Sequence, residues 1–153
     1  MDIKQLNPRP AIKGNPKLEA AYGQLDRLLS EIRKRKLSDE VIQAINTAIE
    51  ELNAIPDSDN KLKAKIKKTQ DQVVKVLENK HKFVAKNHYR NLWMILGMSA
   101  FGLPFGVALG TSLGNMAFLG IGLPIGMAVG LAVGAQMDKK AKEEGRQLDL
   151  ELK

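Results

Sequence analysis

The side chains of this chain that could take part in chemistry are few. Its 153 residues contain no cysteine and two histidines, His81 and His88, which lie seven residues apart among lysines. Seven residues make about two helical turns, so both rings are expected on one face of a helix. Histidine titrates near neutral pH, and the pair is interpreted either as a pH sensor or as two surface histidines without partners.

No other pattern in the sequence is typical of catalysis. The sequence lacks a phosphate-binding loop, a nucleophile with a neighbouring base, a carboxylate pair and a metal-ligand spacing. The absence of cysteine also excludes thiolate metal sites and disulfides. We therefore predict that the protein is not an enzyme and that it uses no cofactor and no metal.

The most unusual stretch is residues 91–137, which contain no Asp, Glu, Lys, Arg or His and hold ten of the thirteen glycines. Within it, residues 102–114 read GLPFGVALGTSLG and residues 122–134 read GLPIGMAVGLAVG, a direct repeat at an offset of twenty. Burying 47 such residues in a soluble protein would need more amphipathic cover than the flanking helices supply. The stretch is therefore predicted to lie in a membrane, and a soluble protein with a buried hairpin is the alternative.

The repeat places glycine at every fourth position of two helices. This spacing lets two backbones approach closely, so that dispersion and weak Cα–H contacts hold membrane helices together. The partner of each ladder is either the other half of a hairpin or another copy, and Gly97 and Gly120, which lie off the ladders, are expected to contact a second partner. We predict helix packing and a homo-oligomer through the ladder residues Gly102, Gly106, Gly110, Gly114, Gly122, Gly126, Gly130 and Gly134.

Each copy of the repeat also contains one proline. Pro104 and Pro124 lie eleven and nine residues from Asn115, which at about 1.5 Å per residue puts both near the middle of the bilayer. Each proline leaves the carbonyl four residues earlier without its helical partner. The prolines are predicted to form matched kinks that shape a hairpin, and a mid-membrane site or gate is the alternative.

The uncharged stretch is long enough for two membrane spans. About twenty apolar residues cross the hydrocarbon layer, and residues 92–114 and 116–136 supply 23 and 21, with the turn at Asn115. Tyr89 and Trp93 are predicted to be interfacial aromatic residues at the first boundary.

Basic residues are concentrated just before this stretch. Residues 61–90 carry ten basic and two acidic side chains, so the net charge of +7 comes from this segment. Next to a membrane, such a cluster favours contact with anionic lipid head groups, and no nucleic-acid-binding motif accompanies it. By the positive-inside rule both termini are predicted to be cytoplasmic. Head-group contacts are predicted for Lys80, Lys82, Lys86, Arg90, Lys139 and Lys140.

The other segments are predicted to form helices that position the hairpin. Residues 1–15 are proline-rich and are predicted to form an extended arm. Three amphipathic helices follow, the first from Pro16, the second after an N-cap at Ser38 and the third after a turn at residues 57–60. The third, without Gly or Pro, is expected to continue as a basic stalk into the first span. The predicted fold is all-α, with a helical bundle and stalk over residues 16–90, a transmembrane hairpin over 91–137 and a charged tail over 138–153.

The repeated GLPxGxAxGxxxG pattern resembles the glycine-zipper hairpins of small, largely uncharacterised bacterial membrane proteins. The resemblance covers about residues 97–137 and implies tight helix packing, oligomerisation and the bacterial inner membrane. We therefore expect a non-enzymatic membrane protein that displays residues 16–90 to a protein partner. The alternative is a pore-forming or membrane-permeabilising protein, because pore-forming colicins are similar in architecture, placing a long uncharged hairpin beside basic helices. The hairpin, however, has few polar residues to line a pore.

Overall fold

The predicted all-α fold is confirmed in a computed structural model, which describes residues 2–56 and 61–152. The helices are α1 (Pro16–Ile32), α2 (Asp39–Asn53), α3 (Leu62–His81), α4 (His88–Leu96), α5 (Leu103–Ser112) and α6 (Leu119–Glu143). A π-helical turn, Gly97–Gly102, joins α4 to α5 without a break, and no strand ladder occurs in the described ranges. The turn predicted at residues 57–60 lies outside the described residues.

The chain divides into two compact units. The first contains the described residues up to Val84 and takes up the chain again from Leu148, whereas the second is Ala85–Gln147. The sequence predicted a bundle to residue 90, a hairpin from 91 to 137 and a separate tail from 138. In the structure the hairpin unit is longer at both ends, and the last residues belong to the first unit.

The first unit is a helical bundle in which α3 packs against α1 and α2. Its core is formed by the apolar residues that recur at helical spacing in each sequence segment, because each helix has one apolar stripe to bury. The fully buried side chains include Leu25, Leu29 and Ile32 from α1, Ile45, Ile49 and Leu52 from α2, and Leu62, Ile66 and Leu77 from α3.

The expected continuation of α3 into the first membrane span is not present. The helix ends at His81, and Lys82 adopts a left-handed backbone with φ of 57°. The Lys82 and Phe83 N–H groups donate back to the carbonyls of Glu78 and Leu77, which closes the helix. Asn87, at φ of 60°, precedes α4. Neither residue is Gly or Pro, so the sequence carries no strong signal for this break.

The C-terminal segment completes the bundle. The hairpin helix α6 ends in a Schellman motif, in which Gly145 has φ of 68° and the Arg146 N–H donates to the Ala141 carbonyl at 2.8 Å. The chain then reaches the first unit, where the Leu148 N–H donates to the Val84 carbonyl at 2.8 Å. The Leu148 side chain is 1% exposed and belongs to the core.

Glu31 on α1 faces this returning segment. Its carboxylate accepts hydrogen bonds from the Lys34 ammonium and from the backbone N–H of Asp149. The bond from Lys34 is the main reason that the pKa of Glu31 lies below its usual value. The carboxylate therefore stays ionised in the bundle and continues to accept the Asp149 N–H as the pH falls towards the ordinary carboxyl range.

Candidate membrane hairpin

The second unit contains two helices that are long and apolar enough to cross a membrane. They are His88–Ser112, which combines α4, the π-helical turn and α5 in 25 residues, and Met116–Glu143, which has 28. The short turn between them ends at Asn115, whose side chain accepts a hydrogen bond from the Ala117 N–H at 2.9 Å.

The outer surface of this unit is apolar. Large hydrophobic side chains that are exposed in the described chain lie between Leu92 and Val133, and Ile95 and Leu113 are about 60% exposed, at 62% and 59%. The bundle, by contrast, buries its large apolar side chains in a core. A contiguous exposed apolar surface of this kind marks a membrane or an interaction face in a stable protein. Others on this surface are Leu92, Leu96, Phe101, Leu103, Phe105, Val107, Met116, Ile121, Ile125 and Val129.

The two long helices meet through glycine. On α6 the buried residues recur every four positions, at Gly122, Gly126, Gly130 and Gly134. A Cβ added at Gly126 would lie 2.5 Å from the Gly102 nitrogen, and one added at Gly134 would lie 2.5 Å from the Tyr89 carbonyl oxygen. Real Cβ atoms essentially never approach backbone so closely. The backbones of the two helices are therefore in direct contact within one chain.

The π-helical turn keeps the first helix in register with α6. The buried glycines of this helix are Gly97, Gly102, Gly106 and Gly110, with a first step of five residues and later steps of four. Pro104 has no N–H to donate to the Ala100 carbonyl, and the preceding Leu103 N–H donates to Met98, five residues back. The wider turn rotates Gly97 onto the interface, which a regular helix would not do.

The two copies of the repeat pack against each other in antiparallel directions. Gly102 and Gly122, which are equivalent in the repeat, face each other at the centre. On either side, a Cβ at Gly126 would lie 2.6 Å from the Gly102 Cα, and a Cβ at Gly122 would lie 2.6 Å from the Gly106 Cα. Gly126 therefore lies opposite Gly102, and Gly122 lies opposite Gly106, so the direct repeat forms an antiparallel pair of helices.

Three glycines and both prolines of this region have surroundings of their own. Gly114 has no neighbour within 4 Å of an added Cβ and has φ of 66°, so its role is in the turn. Gly97, expected to contact a second partner, lies in the intramolecular interface, whereas Gly120 faces open space. Pro104 and Pro124 are exposed on the outer surface.

A buried carboxylate continues the α6 ladder beyond Gly134. Asp138 is one four-residue step further and is 8% exposed. Its two oxygens accept hydrogen bonds from the first turn of α4, from the Tyr89 N–H at 3.1 Å and the Arg90 N–H at 3.0 Å. These are N–H groups that have no partner within their own helix, and negative charge is stabilising there. Asp138 thus caps α4 from the neighbouring helix.

The sequence predicts only a charged tail over residues 138–153 and marks no separate role for Asp138. The signal that could have identified it is its position: the ladder of four-residue steps through Gly134 reaches Asp138 next. An acidic residue on an interface face, opposite the start of the partner helix, is a candidate cap.

Replacing Asp138 by alanine should destabilise the hairpin by about 2 kcal/mol, because two buried N–H groups lose a charged acceptor. The matched control is Glu143→Ala on the same helix, since the Glu143 side chain is 65% exposed and makes only a 3.9 Å ion pair with Lys139. The midpoint of unfolding in mixed detergent micelles measures the difference. Equal midpoints for the two variants would contradict the capping role.

The start of α4 and the end of α6 are also connected by Arg146. Its guanidinium donates to the Glu144 carboxylate and also bonds to the Tyr89 side chain, and the bond to Glu144 is the main reason that the pKa of Arg146 is raised. Around this point Lys86, Arg90, Lys139 and Lys140 are exposed. Four of the predicted head-group residues therefore lie in the hairpin unit.

The other two predicted head-group residues, Lys80 and Lys82, belong to the bundle. The Lys80 ammonium donates to the Glu40 carboxylate at 2.7 Å, and Lys82 is exposed at the end of α3.

The two histidines do not share a helical face, because the chain leaves the helix between them. The His81 Nε2 accepts a hydrogen bond from the Ser38 N–H at 3.2 Å, and the ring stacks on Phe83. His88 packs edge-on against Tyr89. The prediction of two surface histidines without partners is therefore wrong, and so is the prediction of a shared face. Ser38 does precede α2, but its hydroxyl lies 3.4 Å from His81 and caps no N–H of that helix.

Within residues 2–56 and 61–152, no group of three or more His, Asp or Glu side chains is placed to hold a metal ion. Comparison of the chain with protein-family models, curated proteins and solved structures found no match.

Proposed function

We propose that the protein is a non-enzymatic integral membrane protein, whose hairpin crosses the bilayer twice and whose helical bundle serves as an interaction domain. One observation carries the proposal: the hairpin helices contact each other through glycine backbone and direct their large apolar side chains outward. In water this arrangement would leave the apolar surface unpaired, whereas in a bilayer lipid covers it. The bundle, with a buried core of its own, needs no such cover.

Both ends of the hairpin are proposed to lie on the cytoplasmic side of a bacterial inner membrane. The chain leaves the bundle at Val84 and re-enters it at Leu148, and these two residues are hydrogen-bonded to each other. Two spans that begin and end at one point return to the same side. Lys86, Arg90, Lys139 and Lys140 flank the spans, and basic residues of this kind favour the cytoplasmic side and anionic head groups.

Site-directed thiol labelling tests this topology, because the chain has no cysteine of its own. We expect Asn115→Cys, at the turn, to react in intact bacterial cells with a thiol reagent that reaches the periplasm but does not cross the inner membrane. Glu143→Cys should react only after the inner membrane is opened. Labelling of both positions from the same side would contradict two spans, and recovery of the protein in the soluble fraction would contradict membrane insertion.

We also propose that copies assemble in the membrane. One surface of the hairpin packs its two helices together, and another contacts other copies. The ladder glycines face residues of the opposite helix or of the turn within a single chain, with the exception of Gly114. Contacts between the hairpins of different copies are therefore assigned to the outer face, where Gly120 is open and where the exposed side chains lie. The bundle is proposed to bind a protein partner.

The alternative function, membrane permeabilisation, has less support. The Ser99 hydroxyl donates to the Ile95 carbonyl at 3.0 Å, and the Thr111 hydroxyl donates to the Val107 carbonyl at 2.9 Å. Both hydroxyls bond within their own helix, and a water-filled pore needs polar groups that face the lumen.

Dye release from liposomes with anionic lipid separates the two functions. We expect reconstituted protein to release no more dye than protein-free liposomes over a wide range of protein-to-lipid ratios. Release that rises with protein concentration would support the permeabilising function and contradict a purely structural hairpin.

A further inference from the structure

The first part of the N-terminal arm, residues 2–9, is bound on the surface of the bundle as an extended peptide is bound by a receptor. It contains no helix or strand. Asn46 on α2 accepts the Lys4 N–H at 2.7 Å and donates to the Asp2 carbonyl at 2.9 Å. One step along the arm, Asn53 accepts the Asn7 N–H at 3.0 Å and donates to the Gln5 carbonyl at 3.2 Å.

The two asparagines hold the extended backbone of the arm through the same pair of hydrogen bonds. They lie seven residues apart on α2 and therefore share one face of the helix. A side-chain amide has one acceptor and one donor group, so each can pair with the carbonyl before and the N–H after a single residue. Asn46 pairs around Ile3 and Asn53 around Leu6. Recognition of this kind reads the backbone and accepts different side chains, as peptide-binding sheet edges do.

Specificity comes from side chains that point inward at every third position. Ile3 and Leu6 pack against the bundle core, and Arg9 and Ile12 are 8% and 6% exposed. A period of three suits an extended backbone over residues 3–9, and Ile12 follows in the 3-10 helix Pro10–Ile12.

Arg9 is the polar anchor. Its guanidinium donates to the carbonyls of Leu52 and Ile55 at 2.7 Å and 2.8 Å, at the C-terminal end of α2. The Leu52 carbonyl also accepts the Ile55 N–H at 3.1 Å, and a positive charge is favoured at this end of a helix. The same guanidinium lies 5.9 Å from the centre of the Tyr22 ring. The cationic side chain with several donors thus makes three contacts with the bundle.

We propose that this face of α1 and α2 is a binding groove for an extended peptide with aliphatic residues at positions one and four and arginine at position seven, and that the arm of a second copy is its occupant in trans. A second copy carries the same three anchors with the same spacing. Exchange between two copies is reciprocal, which gives a closed two-fold pair and no open chain. All of the contacts lie in the bundle, so the inference does not depend on the membrane role.

The segment that connects the arm to α1 is suited to such an exchange. Gly14 has φ of 103°, and nothing lies within 4 Å of an added Cβ there. Lys13, Gly14 and Asn15 are exposed. Rotation at this one permissive residue moves residues 2–12 together, and the contacts that are lost, including those of buried Ile12, form again when the same residues of a second copy enter the groove.

Crosslinking between two single-cysteine variants tests the exchange in full-length protein in mild detergent. The Lys4 ammonium pairs with the Glu50 carboxylate in the seated arm. We expect a mixture of Lys4→Cys and Glu50→Cys proteins, incubated together and treated with a short thiol crosslinker, to give a mixed dimer. The yield should exceed that of either variant alone at least fivefold.

Two further variants assign the dimer to the groove. Adding Asn46→Ala and Asn53→Ala to the Glu50→Cys copy should lower the mixed-dimer yield about tenfold, because four backbone hydrogen bonds are lost. Gln43→Ala, an exposed position on the same helix, is the matched control and should leave the yield unchanged.

A double variant with both cysteines in one chain completes the test. If it crosslinks within the chain while the mixture of single variants gives no mixed dimer, the arm binds only its own groove and the exchange is overturned. A second measurement covers a variant that fails to fold. A labelled peptide of residues 2–10 should bind full-length protein whose own arm is weakened by Leu6→Ser and Arg9→Ala at least tenfold more tightly than it binds the unmodified chain. Equal binding by both would overturn the groove.

Discussion

Gly126→Leu is expected to separate the two hairpin helices, whereas Gly120→Leu, the same change six residues earlier on α6, is expected to leave their packing unchanged. A Cβ at Gly126 would lie 2.5 Å and 2.6 Å from the nitrogen and Cα of Gly102, and a leucine adds three more carbons beyond it. The obstructing atoms are backbone and cannot rotate away. At Gly120 nothing lies within 4 Å of the added atom.

The expected size of the effect follows from the kind of contact. Overpacking a core against side chains costs about 1–3 kcal/mol, because those side chains can shift. Here two backbones are in contact over several turns, so one bulky residue moves the whole interface, and we expect a loss of more than about 3 kcal/mol. The loss should also extend to the Asp138 cap, because that cap depends on the distance between α6 and the start of α4.

The fluorescence of the single tryptophan can report this loss of hairpin stability. Trp93 lies at the interface, where its carbonyl carbon would be 2.7 Å from a Cβ added at Gly130. Titration of the purified protein from a mild detergent into mixed micelles with dodecyl sulfate, followed by Trp93 fluorescence, gives an unfolding midpoint for each variant. Midpoints for Gly126→Leu and Gly120→Leu that agree within error would show that the glycine interface does not hold the hairpin together. In membranes, chemical crosslinking should show the reverse order, with Gly120→Leu reducing contacts between copies.

The hairpin could be predicted from sequence because its signal is strong and local. The lack of charge over residues 91–137 specifies an apolar environment, and glycine at four-residue steps specifies a helix face without side chains. What sequence periodicity could not predict is the π-helical turn. Its extra residue changes which glycine faces α6, so Gly97 was assigned to the wrong side. Which glycine faces α6 depends on how the helix backbone adjusts to the missing N–H of Pro104. This adjustment is visible only in the structure.

The bundle helices were predictable for a similar reason, since their apolar stripes have helical periodicity. The ends of these helices were less predictable. The end of α3 at His81 depends on Lys82 adopting a left-handed backbone, which is unusual for lysine and carries no mark in the sequence. The contacts of the arm were also missed. They join residues of the arm to residues of α2 that lie more than forty positions further along the chain, and no local pattern connects them.

The C-terminal segment is the clearest case of a role that only the structure reveals, and it leads to the second large expected effect. Residues 138–153 carry five basic and five acidic side chains, a composition that favours a solvated tail. Within that tail Leu148 is nevertheless 1% exposed and packs in the bundle core. We expect Leu148→Ala to destabilise the bundle by about 2–5 kcal/mol, the usual cost of removing a fully buried leucine side chain.

The loss of bundle stability should have two causes. A control variant separates both from general effects of changing a residue of the tail. Removing the Leu148 side chain leaves a cavity in the core, and it also weakens the contact that holds the Leu148 N–H on the Val84 carbonyl. Leu150→Ala is the matched control, because Leu150 lies two residues further on in the same segment and is only partly buried. Urea unfolding of the full-length protein in mild detergent, followed by far-ultraviolet circular dichroism, gives both free energies. Leu150→Ala should lose less than half as much as Leu148→Ala, while the Trp93 signal of the hairpin stays unchanged in both. Equal and small losses for the two leucines would mean that the C-terminal segment rests on the bundle without supporting it.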